Sequence, residues 1–207
     1  MNGFISMVTP LLLHMAVAGA VASLSAGRLD ATSATALTAL LVIPVALWSY
    51  IRDRKWKQQR QKRSRKWCIV YGAFCFVAGG VLNFAWSGIL NLFHIQDYFS
   101  NAAQESLLAA LAAVQLAGLG VLVPVAEELI FRGLIYERMK RFFSVKVSVL
   151  LSSLLFALYH GNPIQMIFAF PMAVVLAVVM QQGKSILFPI LFHMGANLAA
   201  VCANLFV

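Results

Sequence analysis

Residues 121–136 read VLVPVAEELIFRGLIY, and three of the sixteen carry charge: Glu127, Glu128 and Arg132. The rest of the stretch is almost wholly apolar, as are the segments on either side. Such a segment has no polar face to turn toward water. In lipid, however, ionisable side chains are costly and normally face a site or a partner inside the protein. The stretch therefore reads as part of a membrane-crossing helix whose charges point inward.

Composition extends that reading to the whole chain. Of 207 residues, 61% are hydrophobic and 11% charged, and mean hydropathy is +0.84. A soluble domain carries roughly 25% charged residues, so this chain lacks the polar surface a water-soluble monomer needs. Apolar blocks fall at 4–24, 34–51, 67–93, 107–123, 147–159, 164–180 and 186–206. At about 20 residues per crossing, the expected fold class is all-α: a polytopic transmembrane helical bundle of about seven spans, within a range of six to eight. The first block contains small-residue A-x-A patterns, but no Lys or Arg precedes Arg28. It reads as a span rather than a cleaved leader.

Nine of the 16 basic residues lie in 52–66, RDRKWKQQRQKRSRK, against one acid, Asp53. Between two spans this is a cytoplasmic loop touching anionic lipid headgroups rather than a nucleic-acid site. Trp48, Trp56 and Trp67 bracket it as interfacial aromatics do. The segment 94–105 has no Lys or Arg and is expected outside. Arg138, Lys140, Arg141, Lys146 and Lys184 return to the cytoplasmic side, which places the N-terminus inside. Cys68, Cys75 and Cys202 form no CxxC pair and read as small apolar residues.

Few other polar residues interrupt the spans: His14, His160, and the pair His193 and Asn197 in LFHMGANL. Glu128 and Arg132 are i, i+4 neighbours on a helix and can pair. Glu127 points about 100° away and lacks that partner. Gly118 and Gly120 suggest a break, with Pro124 starting or kinking the helix that follows. Glu127 and His160 are equidistant from the basic turn at 143–144, so antiparallel helices would bring them to one depth. The Gly161-Asn162-Pro163 break beside His160 would then line a cavity. His193 and Asn197 share a face of the last helix.

One Glu, two His and one Asn allow two chemistries. Glu127 and His160 could activate a water while His193 and Asn197 donate to the oxyanion of a tetrahedral intermediate. Alternatively, Glu and two His could hold zinc. There is no HExxH, no G-x-S-x-G, and no Asp within a span to form an aspartyl pair. A packing-only ion network in a scaffold or immunity protein, or a proton relay in a small transporter, would use the same residues differently.

The ordered motifs Glu127-Glu128-x-x-x-Arg132, Phe156-x-x-x-His160 and His193-x-x-x-Asn197 resemble those of the CPBP family, the CAAX-processing and bacteriocin-processing (Abi) intramembrane glutamic proteases. The resemblance covers about 106–200. It divides the chain into 1–105, N-terminal transmembrane helices with the basic loop 52–66, and 106–207, a catalytic transmembrane core. It implies Glu127 as catalytic glutamate acting with His160, His193 and Asn197 as oxyanion hole, and Arg132 holding Glu128 in support. It implies metal-independent cleavage of a membrane-embedded or membrane-associated peptide or protein, with no cofactor. The loop-poor chain and its charge pattern suggest a bacterial inner membrane, where cleavage of prenylated proteins is the less expected role. The Glu127 cavity should open toward the cytoplasm or the bilayer.

Overall fold

The computed structural model describes residues 3–55, 63–95 and 102–206. Much of loop 52–66, including Trp56, and part of 94–105 lie outside them. Among the described residues the chain is all-helical, with eight helices: α1 (Gly3–Leu24), α2 (Ala31–Lys55), α3 (Arg65–Leu92), α4 (Ala102–Leu108), α5 (Ala112–Met139), α6 (Val145–Tyr159), α7 (Pro163–Gly183) and α8 (Leu187–Phe206).

Six of these, α1, α2, α3, α5, α7 and α8, are long and apolar enough to cross a membrane. The fifth apolar block, 147–159, became α6, whose 15 residues reach only about 22 Å, short of a hydrocarbon core about 30 Å thick. It stops at His160 because Gly161 turns left-handed at φ 66°. The Asn162 side chain then accepts the Ile164 N–H at 3.0 Å and starts α7. Ser64 and Ser144 cap α3 and α6 in the same way, at 3.2 and 3.4 Å. At the head of α2, the Ser33 N–H and hydroxyl hold the Asp30 carboxyl below its usual range.

α5 is the most buried of the six long helices. The expected break at Gly118 and Gly120 is absent. The helix instead widens to π geometry over Gln115–Leu122, returns to α over Val123–Glu128, and widens again over Leu129–Tyr136. α1 and α2 pack on α5 through Met7, Leu11, Val42, Ala46 and Tyr50 against Leu129–Ile135.

α3 backs α8. A Cβ at Gly79 would lie 1.9 Å from the Phe192 carbonyl oxygen, and one at Gly195 would lie 1.9 Å from that of Phe76. Backbone meets backbone here, so no rotamer change can make room. Gly79→Ala should therefore destabilise the fold by at least about 1–3 kcal/mol. It should also displace the helix carrying His193, so its thermal transition and any activity should fall together.

The basic segments gather at one end of the bundle. Arg138 donates to Asp53 at 2.7 Å and to the Ser6 carbonyl at 2.5 Å. Arg54 donates to the Lys184 carbonyl at 3.1 Å. Arg52 stacks on Trp48 and Arg63 on Trp67, each 4.6 Å from the ring centre. At the other end, Gln115 and Asn204 both reach the Leu108 carbonyl, at 2.8 and 3.3 Å.

Candidate active site

The two adjacent glutamates have opposite surroundings. Glu128 is fully buried, and its Oε1 accepts from Arg132 Nη1 at 3.0 Å and from His193 Nδ1 at 2.8 Å. The i, i+4 pair expected from the sequence is thus present, and a third member from α8 joins it. Arg132 also donates to the Ala173 carbonyl of α7 at 3.2 Å and lies 4.4 Å over the Phe156 ring of α6. One guanidinium therefore ties α5, α6 and α7 together. Glu128 Oε2 has no hydrogen-bond partner among the described residues.

Glu127, 100° around the helix, takes no part in this network. Its Oε2 lies 3.8 Å from His193 Nε2, too far for a hydrogen bond but close enough for a small group to touch both. Because a carboxylate only accepts, His193 Nδ1 must carry a proton toward Glu128. Its Nε2 is then a lone pair in the neutral ring, or an N–H aimed toward Glu127 once the ring takes a second proton.

Asn197 donates one amide N–H to the Leu119 carbonyl at 2.9 Å, leaving its second N–H uncommitted. His160 donates Nδ1–H to the Phe156 carbonyl at 2.8 Å, so in the neutral ring the lone pair sits on Nε2. Its ring meets Phe156 edge-on at 4.8 Å, and Phe156 in turn meets His193 at 6.0 Å. The structure therefore joins Glu128, Arg132 and His193 in one hydrogen-bonded cluster, with Glu127 beside it. Asn197 is set against the same helix, and His160 stands across Phe156 from His193 without a hydrogen bond to Glu127.

A cavity of about 250 Å³ borders Glu127. It also touches His14 of α1 and Tyr159 of α6, whose ring nitrogen Nε2 and hydroxyl are hydrogen-bonded to each other. The sequence marked His14 only as an interruption of the first span. Its being the sole histidine there was the available signal. The cavity walls lie in the late part of α1 and the early part of α2. That half is remote from the basic turns. Among the described residues no three His, Cys, Asp or Glu side chains stand close enough to hold one metal ion.

A family model described as type II CAAX prenyl endopeptidase, Rce1-like, matches residues 109–199. That model describes the same CPBP family whose motifs the sequence resembles. The CPBP match covers all six motif residues, Glu127, Glu128, Arg132, His160, His193 and Asn197, and stops short of α1 to α3. The match supports a protease kind of function on a protein or peptide at the membrane, and the six long apolar helices suggest an integral membrane protein. No curated protein and no solved structure matches the chain.

Proposed function

We propose that this protein is an intramembrane glutamic endopeptidase that hydrolyses a membrane-associated peptide or protein without a metal or other cofactor. The observation that carries the reading is the contrast between the two glutamates. Glu128 absorbs the available cationic and histidine partners, while Glu127, 8% exposed, stays unbonded on a cavity wall 3.8 Å from an imidazole nitrogen.

In this mechanism Glu127 accepts a proton from water as the water oxygen attacks the substrate carbonyl carbon. Negative charge grows on the carbonyl oxygen and is met by the second Asn197 N–H and by His193 Nε2–H. Glu128 offsets the positive charge on the doubly protonated His193 ring. The proton taken up by Glu127 passes to His160 Nε2 and from there to the departing amine as the C–N bond breaks, which returns both residues to their starting state. The products are a carboxylate and an amine. The basic end of the bundle faces the cytoplasm of a bacterial cell, with the N-terminus inside and loop 52–66 against anionic lipid rather than nucleic acid. Prenylated CAAX chains are the substrates that the family description names, and they supply a practical probe.

The test is cleavage of an internally quenched, farnesylated CAAX-type peptide by detergent-solubilised protein. Activity should survive a strong chelator. Activity lost to the chelator and restored by zinc would turn Glu127, His160 and His193 into metal ligands. Asn197→Ala should lower kcat by about 10²–10³-fold, with KM little changed. A change in KM alone would remove Asn197 from the oxyanion hole.

A further inference from the structure

The basic end of the bundle holds a second cavity, of about 290 Å³, between α1, α2 and α5. Its walls change character along all three helices in the same direction. On α2, Val42, Val45 and Ala46 give way to Ser49 and then to Arg52 and Asp53. On α5, Ile130 and Leu134 give way to Arg138 and Arg141, and on α1 Leu13 gives way to Thr9 and Ser6. Residues three and four apart share a helix face, so each helix turns one graded stripe toward the same space. From Val42 to Arg52 the stripe climbs about 15 Å, from hydrocarbon to headgroup.

The floor of this cavity is closed and its flank is open. Val42, Ile130 and Leu134 are buried, whereas Leu13 and Val45 are 40% and 45% exposed. On membrane-spanning helices such exposure is contact with lipid. A ligand held here therefore keeps part of its body outside the protein.

The charges at the rim are unequally committed. Arg138 donates to Asp53 and to the Ser6 carbonyl, so Asp53 already has its counter-charge. Arg141 lies 3.7 Å from the same Asp53 oxygen, and its side chain is 46% exposed. That separation is beyond hydrogen-bond length. Arg52 rests the face of its guanidinium on Trp48, which leaves the N–H edge for an acceptor. Three guanidiniums stand against one carboxylate around the cavity, and the excess positive charge sits on Arg52 and Arg141.

We propose that this cavity binds one anionic phospholipid, whose phosphate accepts hydrogen bonds from Arg52 and Arg141 while an acyl chain runs past Val45 and Leu13 along the apolar floor. The graded stripes match a molecule charged at one end and apolar at the other, which inorganic phosphate is not. The carboxylate of Asp53 is bonded to Arg138, so the ammonium of a zwitterionic headgroup would find no free acid and would stand beside two arginines. This site differs from the diffuse attraction of loop 52–66 for lipid headgroups. It holds a single molecule and draws on α1 and α5 as well as α2. The bound lipid bridges α1 and α2 to α5 and stabilises the bundle, whatever chemistry Glu127 performs.

The test is thermal unfolding of the full chain in a neutral detergent with added phosphatidylglycerol, phosphatidylcholine or inorganic phosphate. Phosphatidylglycerol should raise the transition by at least about 5 °C more than phosphatidylcholine, as expected of a ligand present about 100-fold above its Kd. Native mass spectrometry should show one phosphatidylglycerol retained per protein. Arg52→Gln with Arg141→Gln should abolish the difference between the two lipids, and Lys66→Gln with Lys146→Gln, an equal loss of charge outside the cavity, should preserve it. Val45→Trp, which obstructs the acyl path without changing charge, should also abolish it, and it decides the matter if the double arginine variant does not fold. Equal shifts with both lipids, or equal losses in the two double variants, would reduce the effect to unspecific attraction and overturn the site. The same shift from inorganic phosphate would overturn the lipid as its occupant.

Discussion

Glu127→Gln is expected to lower kcat by at least about 10²–10⁴-fold, the usual contribution of a positioned general base, while the protein stays folded. Gln keeps the shape of the side chain and removes its capacity to take a proton from water. Glu127 makes no hydrogen bond among the described residues and stands outside the Glu128–Arg132–His193 cluster. Its replacement therefore leaves no partner stranded, and the thermal transition should move little. That separation of activity from stability is the diagnostic. Full activity in the Gln variant would remove Glu127 from the mechanism, and a large loss of stability would show that it holds the fold. The neighbouring change Glu128→Gln should behave in the opposite way. It leaves Arg132, 1% exposed, without its counter-charge.

Arg132→Met should cause the largest loss of stability. Breaking a buried ion pair by removing one member costs about 3–5 kcal/mol, because the other charge is left uncompensated. Folded proteins are typically stable by about 5–15 kcal/mol, so much of the margin would go. Here the loss compounds, since the same guanidinium holds the Ala173 carbonyl and lies over Phe156. Arg132→Lys should fall in between, because an ammonium keeps the charge but lacks the planar fork that serves two acceptors and stacks on a ring. Replacing both members, as in Glu128→Leu with Arg132→Met, should regain much of the stability while leaving His193 without its orienting carboxylate. Thermal unfolding in detergent, read beside peptide cleavage, distinguishes these cases. A single Arg132→Met variant with an unchanged transition would refute the network's structural role.

What the sequence could show was set by distance along the chain. The pairing of Glu128 with Arg132 is legible because four residues on a helix fix two side chains on one face. The bundle itself is legible because apolar blocks long enough to span lipid have few other uses. The bond from His193 to Glu128 joins residues 65 apart and depends on how α8 lies against α5, which no local pattern records. Gly118 and Gly120 read as a break because glycine weakens a helix in isolation. In the structure they sit inside α5, where a Cβ would lie 2.9 Å from the Ala36 side chain and 2.4 Å from that of Leu198. Packing there outweighs propensity. His14 was visible as a residue, but its bond to Tyr159, which lies 145 positions away, was not.

The widened turns on either side of Glu127 and Glu128 bear on how the helix tolerates changes in length. A π turn carries an extra residue in the hydrogen-bonded ring, and such turns cluster at functional sites. Deleting one residue from 115–122 could restore ordinary α geometry and a locally stronger helix. The flanking turns would keep their phase relative to the two glutamates, because the widened turn is where the extra residue is absorbed. A single-residue insertion or deletion in the α-helical turn between the two widened stretches would instead rotate everything beyond it by about 100°. A comparison of this helix across distant homologues should therefore place its gaps at 115–122 or 129–136 and keep the six residues between them in strict register.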